Sequence, residues 1–176
     1  MTSVVTIRRE RAEDVAVARS VEWAAFDQPG GAPEPPVEVT LLDALRDSDA
    51  WIPELSLVSE RDGELVGHVV CTRAHVGGRP VVALGPIGVR PEHQGSGLGG
   101  SLVHAVVAAA DALGEPLIGL LGSPDFYGRF GFRPARAVGV GAPDPAWGDH
   151  FQVRLLTAYS DDLSGPFEYA APFNEV

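Results

Sequence analysis

The chain has 176 residues, enough to bury a full core without disulfide or metal staples, and is expected to form one domain over 1–176. Apolar residues make up 45% of it, which excludes global disorder, and a formal net charge of −11 argues against nucleic acid as a partner, because that binding needs clustered Lys and Arg. No uncharged apolar run reaches about 20 residues and the N-terminus (MTSVVTIRRERAED) becomes charged too early for a secretory signal, so no membrane partner is expected and a cytoplasmic location is.

In chain order, Val4–Arg9 reads as a first strand and Glu13–Phe26 as a helix with Val17, Val21 and Ala24 or Ala25 on one face. A Pro/Gly-rich loop, QPGGAPEPP, separates it from a second helix over Val37–Arg46. Leu55–Glu60 and Glu64–Ala74 flank Asp62-Gly63, a strong hairpin signal. Cys71, the only cysteine, lies within that second strand, where a small buried hydrophobe is the natural reading; one cysteine forms no intrachain disulfide and no thiolate zinc cluster, and no metal is expected. Gly77-Gly78 turns the chain into a strand over Val81–Val89. Leu98, Leu102, Ala105 or Val106, Ala109 and Leu113 then recur at helical spacing up to Gly114. Leu117–Leu121 reads as a buried strand, and Ser123-Pro124 as the cap and first residue of a short helix that Gly131 stops. Phe132–Val140 and Phe151–Ala158 read as two last strands, and the aromatic tail Pro166–Phe173 could pack on its own domain or on a second copy in a homodimer. The fold class is α/β (α+β), a mixed sheet with helices packed on it.

Between the Val81–Val89 strand and the helix at Leu98 lies RPEHQGSGLGG. Glycines expose backbone N–H groups, and a helix N-terminus adds unpaired donors and partial positive charge, so the segment suits a phosphate or pyrophosphate. Gly95–Gly100 formally satisfies the dinucleotide pattern G-x-G-x-x-G, which raises a dinucleotide-dependent oxidoreductase as one reading. The context opposes it: Arg90–Gln94 separates strand from glycine, and Glu115 precedes the next apolar run instead of ending it. A Walker A loop is excluded, because no Gly-Lys-Ser/Thr is present.

Gln94-x-x-Gly97-x-Gly99 resembles the Q/R-x-x-G-x-G/A signature of the GNAT superfamily of N-acyltransferases, and Tyr127-Gly128-Arg129-Phe130-Gly131-Phe132 is similar to that family's second signature. The order of elements matches over nearly the whole chain, and LGPIGVRPEHQ…LLGSPDFYGRFGFRPA looks most like the YhbS-like branch of acetyltransferases. The resemblance implies a GNAT fold: a mixed, mostly antiparallel sheet of about seven strands, splayed at the centre, with about four helices. It implies acetyl-CoA as cosubstrate, held by Gln94, Gly95, Ser96, Gly97, Leu98 and Gly99 at the pyrophosphate and by Ile87, Gly88 and Val89 along the pantetheine arm, with Ser123 and Tyr127 close by. Pro86 inside the strand independently marks a bulge that would open a cleft for the thioester.

Acetyl transfer to a small-molecule or peptide amine needs a neutral nucleophile, a stabilised oxyanion and a proton for the departing thiolate. Deprotonating an ordinary alkylammonium at pH 7 costs roughly 4–5 kcal/mol. The family geometry offers an N–H near Ile87 or Gly88 for the oxyanion, and Tyr127 takes the position of the catalytic acid. The strand residues Leu84, Gly85, Pro86 and Ile87 offer no carboxylate as base. Glu22, Asp27 and Glu34 near the first helix, His68, or a water chain are the candidates, each carboxylate also readable as solvated surface. His93, in the connector, reads as exposed, and Asp125 reads as a first-turn residue of its helix, where the dipole interaction suffices to explain it. With the strand carboxylate missing, an acyl-CoA-binding sensor of the same fold is the alternative.

Overall fold

The hairpin at Asp62-Gly63 forms as its sequence requires: both residues take positive φ (51° and 88°), the backbone that matches a two-residue turn to strand twist. It joins β2 (Ser56–Arg61) to β3 (Glu64–Val76) within a computed structural model that describes residues 2–176. Around that hairpin stand β1 (Val5–Arg9), α1 (Val15–Phe26), α2 (Val37–Arg46), β4 (Arg79–Val89), α3 (Leu98–Ala112), β5 (Leu117–Leu121), α4 (Pro124–Tyr127), β6 (Arg133–Pro134), β7 (Val140–Gly141), β8 (Phe151–Leu155) and β9 (Gly165–Glu168).

The sheet runs β1-β2-β3-β4-β5-β8-β6, seven strands along its path, with β9 attached to both β3 and β7. Pairing is antiparallel except between β4 and β5 and between β7 and β9. The β4–β5 contact is short: only Val82↔Ile118 and Ala83↔Gly119 are in register. Beyond Ala83, β4 stays paired with β3 on one edge, and among the described residues Leu84–Val89 have no strand on the other. The register against β3 slips where Gly85 and Pro86 together oppose one residue, so the bulge expected at Pro86 is present and the sheet splays there.

Each face buries its own core. On one, Leu98, Leu102, Val103, Val106 and Ala110 of α3 pack on Val69, Cys71, Leu84 and Val89. On the other, Ala74, Val81, Ala83 and Phe151 meet Phe167 of β9, whose ring lies so close to Gly119 that no side chain would fit between. The aromatic tail therefore packs on its own chain. Helix α1 lies against β3 and β4. Among the described residues, no helix is long and apolar enough to cross a membrane.

Three expectations change. The buried face of α1 is Ala18, Val21 and Glu22, with Val17 exposed. On α3, Leu113 is exposed and Ala110 takes its place in the core. The expected strand over Phe132–Val140 breaks into β6, a 3-10 turn over Ala135–Val138 and β7; Pro134 has no N–H for a ladder, and Gly139 takes φ 77°.

Candidate active site

The glycine loop forms first from local rules. Arg90 leads into a 3-10 turn at Pro91–His93, and Gly95 and Gly97 then both take left-handed backbone (φ 75° and 85°) that other residues adopt only at a cost. Gly97 is the N-cap of α3, whose first intrahelical bond runs from Ser101 N–H to the Gly97 carbonyl at 3.0 Å. The N–H groups of Leu98, Gly99 and Gly100 are therefore without intrahelical partners. The Gln94 side chain does not reach outward: its Nε2 donates to the Val89 carbonyl at 2.9 Å and ties the loop to the end of β4. Ser96 Oγ donates to the His93 carbonyl at 2.5 Å, closing the turn from within.

A cavity of about 530 Å³ opens over this helix end, bordered by Val89, Gln94, Gly95, Gly97 and Gly99, with Phe126 and Phe130 as its far wall. Arg129 stands 4.9 Å above the Phe126 ring and brings a cation to the rim, together with His93 and His104. His93 is half-buried and its Nδ1 accepts from Arg61 at 3.3 Å, so it is not the free surface group expected from sequence.

Helix α4 turns Tyr127 away from that cavity. Phe126 and Phe130 meet edge to face (centroids 5.2 Å), while the Tyr127 ring packs against Gly122 and meets Phe132 edge-on at 5.7 Å. Tyr127 borders a second cavity, about 660 Å³, with Leu84, Gly85, Pro86 and Ile87 of β4. Burial pushes the phenol up to about 12, so it is protonated at neutral pH. Ser123 is the N-cap residue of α4 but its hydroxyl makes no capping bond; its carbonyl accepts from Tyr127 N–H at 3.0 Å, and the side chain is exposed.

Behind β4 lies a polar cluster that sequence reasoning mostly misses. Glu22 is fully buried, not a solvated surface group. Its Oε1 is 2.7 Å from His68 Nδ1, and His68 Nε2 is 3.0 Å from Ser56 Oγ and 3.5 Å from Glu10 Oε2. Glu10 in turn takes a two-pronged bond from Arg46, both contacts at 2.5 Å. The cluster links α1, α2, β2 and β3 beneath Gly88, whose missing side chain leaves the space that Glu22 Oε2 fills. Desolvation raises the Glu22 carboxyl more than the His68 bond lowers it. His68 is likewise fully buried and does not face the cleft. Asp27, Glu34 and Asp125 are exposed, and neither cavity is lined by them.

The carboxylates that do border the second cavity are Glu38, in the first turn of α2, and Asp144. Glu38 is half-buried and makes no side-chain hydrogen bond or ion pair among the described residues. Its place in the chain follows from the bounds of α2, which sequence pattern gives correctly. Its orientation does not, because the facing wall comes from residues more than a hundred positions later.

The chain can be set beside known proteins on this geometry. Residues 18–132 match the acetyltransferase (GNAT) family. The "Uncharacterized N-acetyltransferase YjhQ" of Escherichia coli K12 is 34% identical over 143 residues, 77% of this chain and 79% of that protein. A GNAT family acetyltransferase from Brucella melitensis, crystallised with acetyl-CoA, superposes with a TM-score of 0.76 at 32% identity, covering 97% of this chain and 98% of the other. YhbS from Escherichia coli, crystallised with CoA, gives a TM-score of 0.83 at 28% identity over 97% and 92% of the two chains. With the glycine loop, the splayed β4 and the tyrosine helix in the family's order, the chain belongs to the GNAT family of acetyltransferases.

Proposed function

We propose that this chain, as one domain over 1–176, transfers an acetyl group from acetyl-CoA to a primary amine by direct attack in a ternary complex. The observation that carries this reading is the unpaired β4 edge from Leu84 to Val89, with Val89 on the glycine-loop cavity at one end and Ile87 beside Tyr127 at the other. An extended pantetheine arm would complete that edge as an added strand, its amides meeting free backbone groups. The N–H groups of Leu98–Gly100 suit the pyrophosphate, with Arg129 at the rim. The relatives crystallised with acetyl-CoA and CoA support this donor. A dinucleotide site is disfavoured by Arg90–Gln94, which separate β4 from the first glycine, and by Glu115, which is spoken for by Arg73 at 2.7 and 2.8 Å.

In the reaction the amine nitrogen attacks the thioester carbonyl carbon, the C–S bond breaks and an amide forms. The backbone near Ile87 and Gly88 meets the developing oxyanion. Glu38, free of other partners, accepts the ammonium proton directly or through water. Tyr127 gives its proton to the departing thiolate and regains one through water as the nitrogen sheds its second proton to become the amide. With a free phenol near 10 and a free thiol near 8.5, that transfer would be uphill by about 2 kcal/mol in water. The apolar surroundings that raise the phenol raise the thiolate as well, so the two approach each other only inside the closed site.

The test is amine-dependent release of free thiol from acetyl-CoA, with Tyr127→Phe as the diagnostic variant. The expected result is a kcat lowered by about tenfold to a thousandfold, at a melting temperature within about 2 °C of the parent, since only a hydroxyl without a protein partner is lost. An unchanged kcat removes Tyr127 from the role. A chain that binds CoA yet releases no thiol with any amine would be a sensor.

A further inference from the structure

The cavity beside Tyr127, if it is the acceptor side of the proposed transferase, has a wall chemistry that selects among amines. Its floor is aliphatic, from Leu41, Leu84, Ile87 and Leu121. Its sides are flat rings: Phe26 at the end of α1, Trp147 from the turn before β8, and Tyr169 with Phe173 from the tail. The last two stack with a tilt of 33°, centroids 4.3 Å apart, and with Phe26 and Trp147 they make up the aromatic panel of the cavity. Formal charge in the wall is negative throughout: Glu38 and Asp144, with no Lys or Arg among the described residues that line it. Asp144 is committed to its own turn, its Oδ1 accepting from Ala146 N–H at 2.8 Å. Glu38 is the lining carboxylate with no bond of its own among the described residues.

We propose, resting on that transferase activity, that the acceptor is an aralkylamine: a primary amine on a short chain from a flat aromatic body, with no carboxylate attached. The rings gain from an apolar face of their own shape. Glu38 pairs with the ammonium before accepting its proton. An α-carboxylate on the acceptor would enter a wall with no cation to receive it and two anions to repel it, so free amino acids are refused. Polyamines and aminoglycosides satisfy Glu38 but leave the panel uncovered and carry polar groups into it.

Matched amines decide the matter. At saturating acetyl-CoA, kcat/KM for 2-phenylethylamine is expected to exceed that for n-propylamine by about 10- to 200-fold, the worth of a filled apolar pocket, and that for phenylalanine by more than about 100-fold. Trp147→Ala should raise KM for 2-phenylethylamine about tenfold with little change for n-propylamine. Glu38→Gln should shrink the preference for 2-phenylethylamine over phenylalanine. Equal or better use of phenylalanine, spermidine or kanamycin overturns the proposal, as does a Trp147→Ala variant that affects all amines alike. The donor reading has its own control, stabilisation of the fold by CoA in a thermal melt. If CoA stabilises and no aralkylamine is acetylated, the acceptor class is wrong and the donor reading stands. If CoA fails to stabilise, the donor reading falls, and quenching of Trp147 fluorescence by 2-phenylethylamine, absent in Trp147→Phe, still decides the acceptor class.

Discussion

Gly88 carries more of the packing between α1 and β4 than its size suggests. A Cβ there would strike Glu22 Oε2 and lie 2.9 Å from the Ala25 Cβ, so α1 sits on β4 only because the position is glycine. Neither neighbour can retreat: Glu22 is pinned by His68, and Ala25 is fixed to the helix backbone. Gly88→Ala is expected to cost about 1–3 kcal/mol of stability, the usual range for overpacking, read from urea unfolding. Combined with Glu22→Ala, the two losses should fall short of their sum, because the second change removes the obstacle to the first. A simple sum would show that Glu22 does not press on Gly88. The burial of Glu22 is legible in principle: Ala18, Val21, Glu22 and Ala25 follow helical spacing, which puts the carboxylate on the apolar face. Charge alone makes it look like surface. What spacing cannot supply is the partner, since His68 lies 46 positions away on another element.

Between elements, the corner that sets α1 on the sheet is held by Arg8 of β1, which meets Asp14 at 2.6 Å just before the helix and Glu60 of β2 at 2.8 Å. The Arg8 hydrogen bond, with help from the Arg11 backbone N–H, holds the Asp14 carboxyl below its ordinary range. A carboxyl depressed in the folded state contributes stability that is present above its unfolded pKa, near 3.9, and lost as pH falls through the folded value. Asp14→Asn should therefore cost about 1–3 kcal/mol at pH 7, and the gap to the parent should close as pH falls below about 4. Urea midpoints for both chains at pH 7 and pH 3 check this; a gap as wide at pH 3 as at pH 7 contradicts it. The elements of the first two-thirds of the chain are readable because each is framed by local signals: Asp62-Gly63, Gly77-Gly78, Gly97 and Ser123-Pro124. After Phe132 those signals thin out. There β6, β7 and β9 are two to four residues long and exist through partners elsewhere, Val153 for Arg133 and His75 for Glu168. The tail's aromatics thus form a wall of the second cavity, which no local pattern announces.

At the scale of the whole molecule, the formal charge of −11 acts on the two substrates with opposite sign. Acetyl-CoA is a phosphate-bearing polyanion that must approach an acidic protein, and the cavity proposed for it offers Arg129 at the rim and the helix end of α3, both short-ranged. A cationic amine is drawn by the same net charge toward the cleft proposed for it, which holds Glu38. Screening lengths of about 30 Å at 0.01 M salt and about 8 Å at 0.15 M mean that added salt erases the long-range field first. Contacts made within a few ångströms in the closed site survive largely intact. Raising salt between those limits should therefore lower KM for acetyl-CoA or leave it level, and raise KM for the amine, each by a modest factor of about two to five. Steady-state kinetics with one substrate varied at a time, at fixed pH, checks the two signs. Both constants rising together would mean that local cations, not the net charge, govern how the donor arrives. Both falling together would mean that the acceptor approaches the cleft with a net negative charge.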